Sequence, residues 1–396
     1  MKEKILFVAA GLAQAPAIRE ARKLGYEVAA MDGDAAAPGL KEASVSYVGN
    51  ILDAQEIIRA ARQFDAQGIT SVCCDAAMES VAAACQTLGL PGISPEVVRV
   101  SRSKRIQREA FKGAGLITPH FFSVTTQEEA LSAWDRLKTA AVVVKPVDAS
   151  GSRGVSYVDG RSQVAAAFEL AKQNSLTQQV MVEPFMPGIE YSVEAWVVGK
   201  KVHILATSMK VRTLPPYLLD RQVHFPDDLA PEQKQIMTEH AVRGIKACGF
   251  QDCPVHLECI MSPQGPMIVE VAARGAGFKV FTEMLPRVTG ISIALASVQA
   301  CLGHEPDLSN GSVTKAASLV FIDPVPGTFV AVEGVEIGRA LPGISEIVIY
   351  PKPGQVMNPL RSGLDRAGHI LAYAADVSTC RRTVLQALDL IHLIAR

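Results

Sequence analysis

Most of the features that assign a chain to a class at sight are missing from this one. No run of eighteen apolar residues occurs, so nothing in it reads as a membrane span. Charge of one sign is not in excess. The chain carries 39 Lys and Arg against 40 Asp and Glu, and a net charge of −1 argues against a general nucleic-acid binder. The first turn, Ala10-Gly11-Leu12-Ala13-Gln14, lacks the second and third glycines of a dinucleotide fingerprint, although Asp32 or Asp34 would suit a ribose. Among the eight cysteines there is no C-x-x-C pair. Cys248, Cys253, His256 and Cys259 lie close in sequence and open a zinc reading, but cysteines scattered through apolar segments suit reduced core thiols better. No serine or cysteine nucleophile motif stands out. The opening MKEKILFVAAG has too short an apolar run and no cleavage region for a signal peptide, so a cytoplasmic protein is expected.

What is present is a 396-residue chain, 48% apolar and 20% charged, with room for two or three domains. Strand and helix signals alternate over residues 1–100: strands at Ile5–Ala9, Glu27–Met31 and Thr70–Cys74, helices at Ala13–Leu24, Ala54–Phe64 and Met78–Leu88. That alternation predicts a parallel, doubly wound sheet. Pro91-Gly92-Ile93-Ser94-Pro95 marks a boundary, and a basic amphipathic helix carrying Lys104 and Arg105 follows.

The stretch Ala141–Gly154, AVVVKPVDASGSRG, organises what comes next. An apolar strand ends at Lys145, and a loop with Ser150, Gly151, Ser152 and Gly154 follows. Small residues let several backbone N–H groups approach an oxyanion, and the lysine adds a mobile charge for phosphate. It is not the Walker pattern, because no Gly-Lys-Ser/Thr opens a helix behind the loop. An ordinary hairpin turn has the same residues. The connector Pro184-Phe185-Met186-Pro187-Gly188 lies between two strands and is flanked by Glu183 and Glu190. Its extended backbone could meet a planar base, and a carboxylate could accept from ribose hydroxyls; a plain hairpin remains the alternative.

Further on, Val202–Met209 reads as a strand ending near Lys210 and Arg212, Tyr217–Asp228 as a loop over the site, and Pro231–Gly249 as a long helix. Two acidic strands close the middle of the chain. Counting across the turn Ser262-Pro263-Gln264-Gly265 sets Glu258 opposite Val269 or Glu270, so both carboxylates can converge on one face. Carboxylates in apolar strands need a partner, and magnesium held together with nucleotide phosphates supplies one. A salt bridge from Glu270 to Arg274 is the structural alternative.

In this order, Lys104, VVVKPVDASGSRGV, EPFMPGIEYSVE, and HLEC paired with IVEVAARG resemble the ATP-grasp superfamily, specifically its carboxylate–amine ligase branch. The resemblance implies an α/β protein. A Rossmann-like domain over 1–100 would precede a two-subdomain ATP-grasp fold over 101–300, with its lid subdomain at about 113–185. A C-terminal α+β segment would fill 301–396. It implies ATP as cosubstrate with magnesium (or manganese), Lys104 and Lys145 on the phosphates, and loop 149–154 as a lid. Glu183, Pro184, Phe185 and Met186 would hold adenine, Glu190 the ribose, and Glu258 and Glu270 the metal. Arg274 would stabilise an acyl phosphate and Lys210 would reach the terminal phosphate. Where many relatives carry asparagine, this chain has Ala272, which puts a second metal in doubt. The activity implied is ATP-dependent joining of a small-molecule carboxylate to an amine. Carboxyphosphate or formyl phosphate chemistry and a non-catalytic nucleotide-binding module are the rivals.

The acceptor pocket is expected around Arg212, Tyr217, His224 and Gly275, and a homodimer follows from the resemblance alone, with no nucleic acid and no membrane as partner. In the C-terminal segment, strands are expected at Thr314–Phe321, Gly334–Val335, Glu346–Tyr350 and His369–Ala375. A closing helix is expected at Thr379–Leu393, and an Asp365–Arg366 ion pair. That tail resembles the one in L-amino-acid-ligase-like proteins.

Overall fold

The computed structural model describes residues 2–309 and 316–396. Its front sheet is parallel, with β1 (Lys4–Val8), β2 (Glu27–Asp32), β3 (Val45–Val48) and β4 (Gly68–Thr70) in the order β3-β2-β1-β4. Ile5 to Val8 are fully buried, as befits a strand covered on both faces. The expected strand Thr70–Cys74 ends earlier, at Thr70, and β3 is too short to show in the pattern. The Asp32 carboxylate is occupied by the first turn, accepting from the amides of Ala10 at 2.7 Å and Asp34 at 2.9 Å. It pins that turn.

A second, antiparallel sheet forms a separate layer from β5 (Phe122–Val124), β6 (Val142–Pro146), β7 (Ser156–Val158) and β8 (Val180–Pro184), in the order β5-β8-β6-β7. Its apolar side packs on the helices Gln127–Leu137 and Val164–Gln173, around Val142, Val144 and Phe168. The first of these helices starts at a capping box between Thr126 and Glu129.

The largest sheet has eight antiparallel strands. It uses β9 (Ile189–Val198), β10 (Lys201–Arg212), β11 (Asp220–Phe225), β12 (Cys253–Ser262), β13 (Gly265–Ala272) and β14 (Ala316–Ile322). Past β15 (Gly327–Glu333) it adds β16 (Ile344–Ile349) and, beyond β17 (Val356–Met357), β18 (Gly368–Ala374). The order is β13-β12-β9-β10-β11-β14-β18-β16. It runs unbroken across residue 300, so the middle and C-terminal parts share one backbone ladder. β11 is the hinge of that continuity and corrects the expected loop at Tyr217–Asp228. Its Val223 and Phe225 are buried and paired to Leu319 and Ala317 of β14. A polar residue at every second position concealed it, as alternation in a half-buried strand does.

Other corrections fall in the C-terminal part. Gly334 is no strand residue. It takes φ +82° ahead of the short helix Val335–Arg339, and a side chain there would meet the Leu390 carbonyl at 1.8 Å. The strand there is β15. Of the strand expected at Thr314–Phe321, residues 314 and 315 lie outside the described residues. The closing helix is Val377–Leu390, capped by Asp376, and β19 (His392–Ala395) follows and pairs with β15. Asp365 and Arg366 do not pair. Asp365 caps the turn at Ser362, and Arg366 donates to the Asp220 carbonyl at 2.7 Å. Cys248, Cys253 and Cys259 pack in the core under the large sheet. Among the described residues no helix is long and apolar enough to cross a membrane.

Candidate active site

The three layers meet at a cavity of about 480 Å³. Its floor is β9, β12 and β13. The turn at residues 263–264 sets the register, and Glu258 faces Glu270 directly, with Ser192 of β9 on the other side of Glu258. A bulge between Glu258 and Cys259 absorbs the offset of one residue. Both carboxylates line the cavity, with side-chain exposures of 20% and 18%.

Each is held by a lysine. Glu270 pairs with Lys104 at 2.8 Å, and Glu258 pairs with Lys210, which also reaches Glu190 at 3.2 Å and Asp220 at 3.1 Å. Glu190 is completed by Arg212 at 2.9 Å. Burial alone would raise the Glu258 pKa, but Lys210 and His256 overcome it and hold the carboxyl well below the usual range. His256 donates toward Glu194 at 2.6 Å. Burial opposes its charge, yet Glu194 carries its pKa up to about 9, so an imidazolium stands beside Glu258. Ala272 lies directly across from His256 and brings no oxygen to the cavity.

The second sheet forms the roof. Lys145 of β6 and Glu183 of β8 lie diagonally across the strand pair, Glu183 opposite Val143 and Lys145 opposite Met181, and their side chains meet at 2.5 Å. Arg108, fully buried on the helix Lys104–Gly113, donates to the same carboxylate at 3.0 Å. Glu183 is therefore anchored below the surface rather than free to meet a base. Burial works against its charge, but Arg108 and Lys145 pull its pKa down to about 2. Pro184, Phe185 and Met186 line the cavity beyond it.

Ser150, Gly151, Ser152 and Arg153 form the overhanging loop, with φ +66° at Gly151 and +55° at Ser152. Lys104 ties this loop down by donating to the Ala149 carbonyl at 2.6 Å. Gly154 stands off the cavity and lets the chain pass close to Pro146 and Asn174.

Arg274 is the expected cation after β13, yet its partner is not Glu270. It donates to Asp75 of the front domain at 2.7 Å and to the Gly275 carbonyl at 2.9 Å, while its buried Nε has no partner among the described residues. Although burial disfavours its charge, Asp75 raises its pKa above an already high value. Gly275, expected to line the substrate pocket, instead abuts Phe281. A Cβ there would come within 2.1 Å of that ring. Gly275→Ala is expected to cost about 1–3 kcal/mol of stability through overpacking, read by urea denaturation.

Two more expectations fail. His224 is fully buried, bonded to Ser318 at 2.9 Å and Gln222 at 2.8 Å, and burial drops its pKa to about 3. Tyr217 lies in a separate groove with Pro215, Pro216 and Tyr157. Arg212 does line the cavity, together with Leu218, Leu219 and Asp220.

Arg108, Asp75, His256 and Arg366 are site residues that sequence reasoning missed. Arg108 had a signal, since it sits four residues after Lys104 on one helix face. Asp75 had another, since it follows a strand of a parallel sheet, where ligands collect. Arg366 had none.

Comparison with known proteins agrees with this architecture. Residues 138–282 match the model of the ATP-grasp domain, and residues 320–396 that of L-amino acid ligase C-terminal domain 2. An uncharacterised protein y4rH of Sinorhizobium fredii is 26% identical over 340 residues, covering 84% of this chain and 69% of the relative. Alanine–anticapsin ligase of Bacillus subtilis is 25% identical over 280 residues, covering 65% of this chain and 58% of that protein, so this match spans under two thirds of its length. The crystal structure of L-amino acid ligase from Bacillus licheniformis superposes with a TM-score of 0.87 at 22% identity, covering 100% of this chain and 99% of that one. The chain therefore contains an ATP-grasp domain over residues 138–282 and an L-amino acid ligase C-terminal domain 2 over residues 320–396.

Proposed function

We propose that the protein is an ATP-dependent carboxylate–amine ligase. It would activate a small carboxylate as an acyl phosphate and release ADP and phosphate as an amine takes its place. The observation that carries this reading is the cross-strand pair Glu258 and Glu270 facing one cavity with Lys104, Lys145, Lys210 and Arg274. A metal fits the donor set. Two hard carboxylate oxygens in register, each now neutralised by an ammonium group, suit magnesium or manganese whose other ligands are phosphate and water. Ala272 adds no further ligand, which favours a single ion. Such an ion, when bound, supplies charge neutralisation at the phosphate oxygens.

The chain's own groups do the rest. Lys145 and the loop 150–153 grip the phosphates from above, and Phe185 and Met186 flank the base. Glu190, held by Arg212, would accept from the ribose hydroxyls. One oxygen of the donor carboxylate attacks the γ-phosphorus, and the bond to the bridging oxygen breaks with ADP as leaving group. The amine lone pair then attacks the acyl carbon. The C–O bond to phosphorus breaks, phosphate leaves with the electron pair, and the nitrogen loses a proton to it. Arg274 faces the charge that develops on the carbonyl oxygen, and its unpartnered Nε is a donor available for that purpose. Closure of the loop shields the acyl phosphate from water. A homodimer completes the proposal and is supported by the resemblance alone.

The test is a screen of carboxylates with ATP, magnesium and hydroxylamine. ATP-dependent hydroxamate with at least one carboxylate is the expected result. ATP consumption with bicarbonate or formate alone would replace this reading by one of its rivals.

A further inference from the structure

Lys104, Lys145 and Lys210 find their counter-charges within the two sheets of the cavity; among the described residues Arg274 takes its own from the front domain. Its Nη2 donates to the Asp75 carboxylate at 2.7 Å and its Nη1 to the Gly275 carbonyl at 2.9 Å, which leaves Nε without a partner. Asp75 lines the same cavity, a few residues past β4. Burial opposes its charge, but Arg274, then Lys104 and Ser150 of the overhanging loop, hold its pKa below the ordinary aspartate value. Glu270, four residues before Arg274, also attracts the guanidinium. Asp75 takes it instead, and Glu270 is left to Lys104 at 2.8 Å.

The segment that carries Asp75 is held in a costly conformation. Val72 has φ +54°, in the left-handed region, where a β-branched residue is an outlier. The Cys73 amide donates across it to the Ser71 carbonyl at 2.7 Å. Such backbone persists where its surroundings over-determine it, and it gathers at functional sites. Here it is held from two sides. The Val72 carbonyl accepts from the Gly275 amide at 3.3 Å, so a backbone bond joins the same two segments as the Asp75–Arg274 pair. The first turn of the front domain supplies the other support. Gln14, itself buried, donates to Cys73 Sγ at 3.4 Å. The Ala13 carbonyl accepts from Cys73 Sγ at 3.7 Å and from Thr282 Oγ1 at 2.7 Å. The turn that lacks the dinucleotide glycines thus braces the segment bearing Asp75.

A donor stabilises developing charge best when it is already in place and need not reorganise as the reaction proceeds. A long arginine side chain meets that condition only if something fixes its planar head. We propose that Asp75 is a positioning residue: the front domain delivers it to hold the Arg274 guanidinium against the acyl phosphate and away from Glu270. Asp75 takes no part in the bond changes and acts through Arg274 alone. This inference rests on the ligase reading above, and it gives the front domain a part in the chemistry without a ligand of its own.

The experiment measures hydroxamate formation by wild type, Asp75→Asn, Asp75→Ala, Arg274→Gln and the double variant Asp75→Asn/Arg274→Gln, with the donor found in the hydroxylamine screen. kcat and the KM for ATP and donor are taken for each, well below its thermal midpoint. Asp75→Asn is expected to lower kcat by about 10- to 100-fold, the scale of a misplaced catalytic group, with both KM values within about 2-fold of wild type. Asp75→Ala should fall further, because asparagine still offers the guanidinium an acceptor oxygen. In the Arg274→Gln background, Asp75→Asn should change nothing more, since a residue that acts through another has no effect once that one is gone. An unchanged kcat in Asp75→Asn, or a loss that multiplies with that of Arg274→Gln, overturns the proposal. So does a change confined to the KM for the donor, which would make Asp75 a substrate contact. Absence of hydroxamate with every carboxylate in wild type removes the ligase reading instead, and this inference with it.

Discussion

Glu258→Gln and Glu270→Gln are each expected to lower ATP-dependent amide formation by about 100- to 1,000-fold, the scale of losing charge stabilisation at a transferring phosphoryl group. Little should happen to the fold. Lys210 would keep Glu190 and Asp220 after the loss of Glu258, and Lys104 would keep the Ala149 carbonyl after the loss of Glu270. Each lysine keeps a hydrogen-bond partner, so thermal midpoints should move by only a few degrees. Steady-state ADP release and a thermal melt on each variant check both halves. The two halves must separate. If activity and midpoint fall together, the glutamates are structural; if neither falls, the paired carboxylates are not the phosphate end of the site.

The second large effect is on stability. Glu183 balances two buried cations, Arg108 and Lys145, with side-chain exposures of 0% and 5%. Glu183→Gln leaves two like charges facing a neutral amide, and a loss of about 3–5 kcal/mol is expected, as for other broken buried pairs. Arg108→Met should cost less, because a neutral Lys145–Glu183 pair survives it. The effect also has a pH signature. The carboxyl falls from an ordinary value of 4.5 in the unfolded chain to about 2 in the folded one. A depressed acid contributes its full stability above the unfolded pKa and loses it as pH falls through the folded one. Wild type should therefore lose stability between about pH 4.5 and pH 2, and Glu183→Gln should lose less over that interval. Urea denaturation at pH 7, 4 and 2.5 measures it. Equal acid slopes in the two proteins would contradict the assignment.

The legible part of the site is the part that sits near itself in sequence. The turn at 262–265 is short enough to count across, so the meeting of Glu258 and Glu270 follows from strand periodicity. Lys145 at the end of a buried strand and the small-residue loop behind it are likewise local patterns. What could not be read are pairs made by the tertiary fold. Arg108 and Glu183 are 75 residues apart, Arg366 and Asp220 are 146 apart, and Arg274 and Asp75 are 199 apart.

Such distances also explain why the alternative weighed for Arg274, a salt bridge to Glu270 four residues away, is not the pair that forms: Asp75 approaches from another layer. His224 was misplaced for a different reason. Its strand alternates polar and apolar residues, and its own side of the strand is buried against Ser318 in a sheet that nothing local announces. The front sheet, with its regular strand–helix alternation, was the easiest to foresee. β15, β17 and β19 at the C-terminal end, two to seven residues long and half-exposed, were the hardest.

The central claim is that oxygen passes from a substrate carboxylate to phosphate through an acyl phosphate. Supplying the donor with both carboxylate oxygens as oxygen-18, together with ATP, magnesium and the amine, tests it in one step. The released phosphate should carry one heavy oxygen per turnover. Phosphate free of the label, with amide still formed, would show that the carboxylate is never phosphorylated.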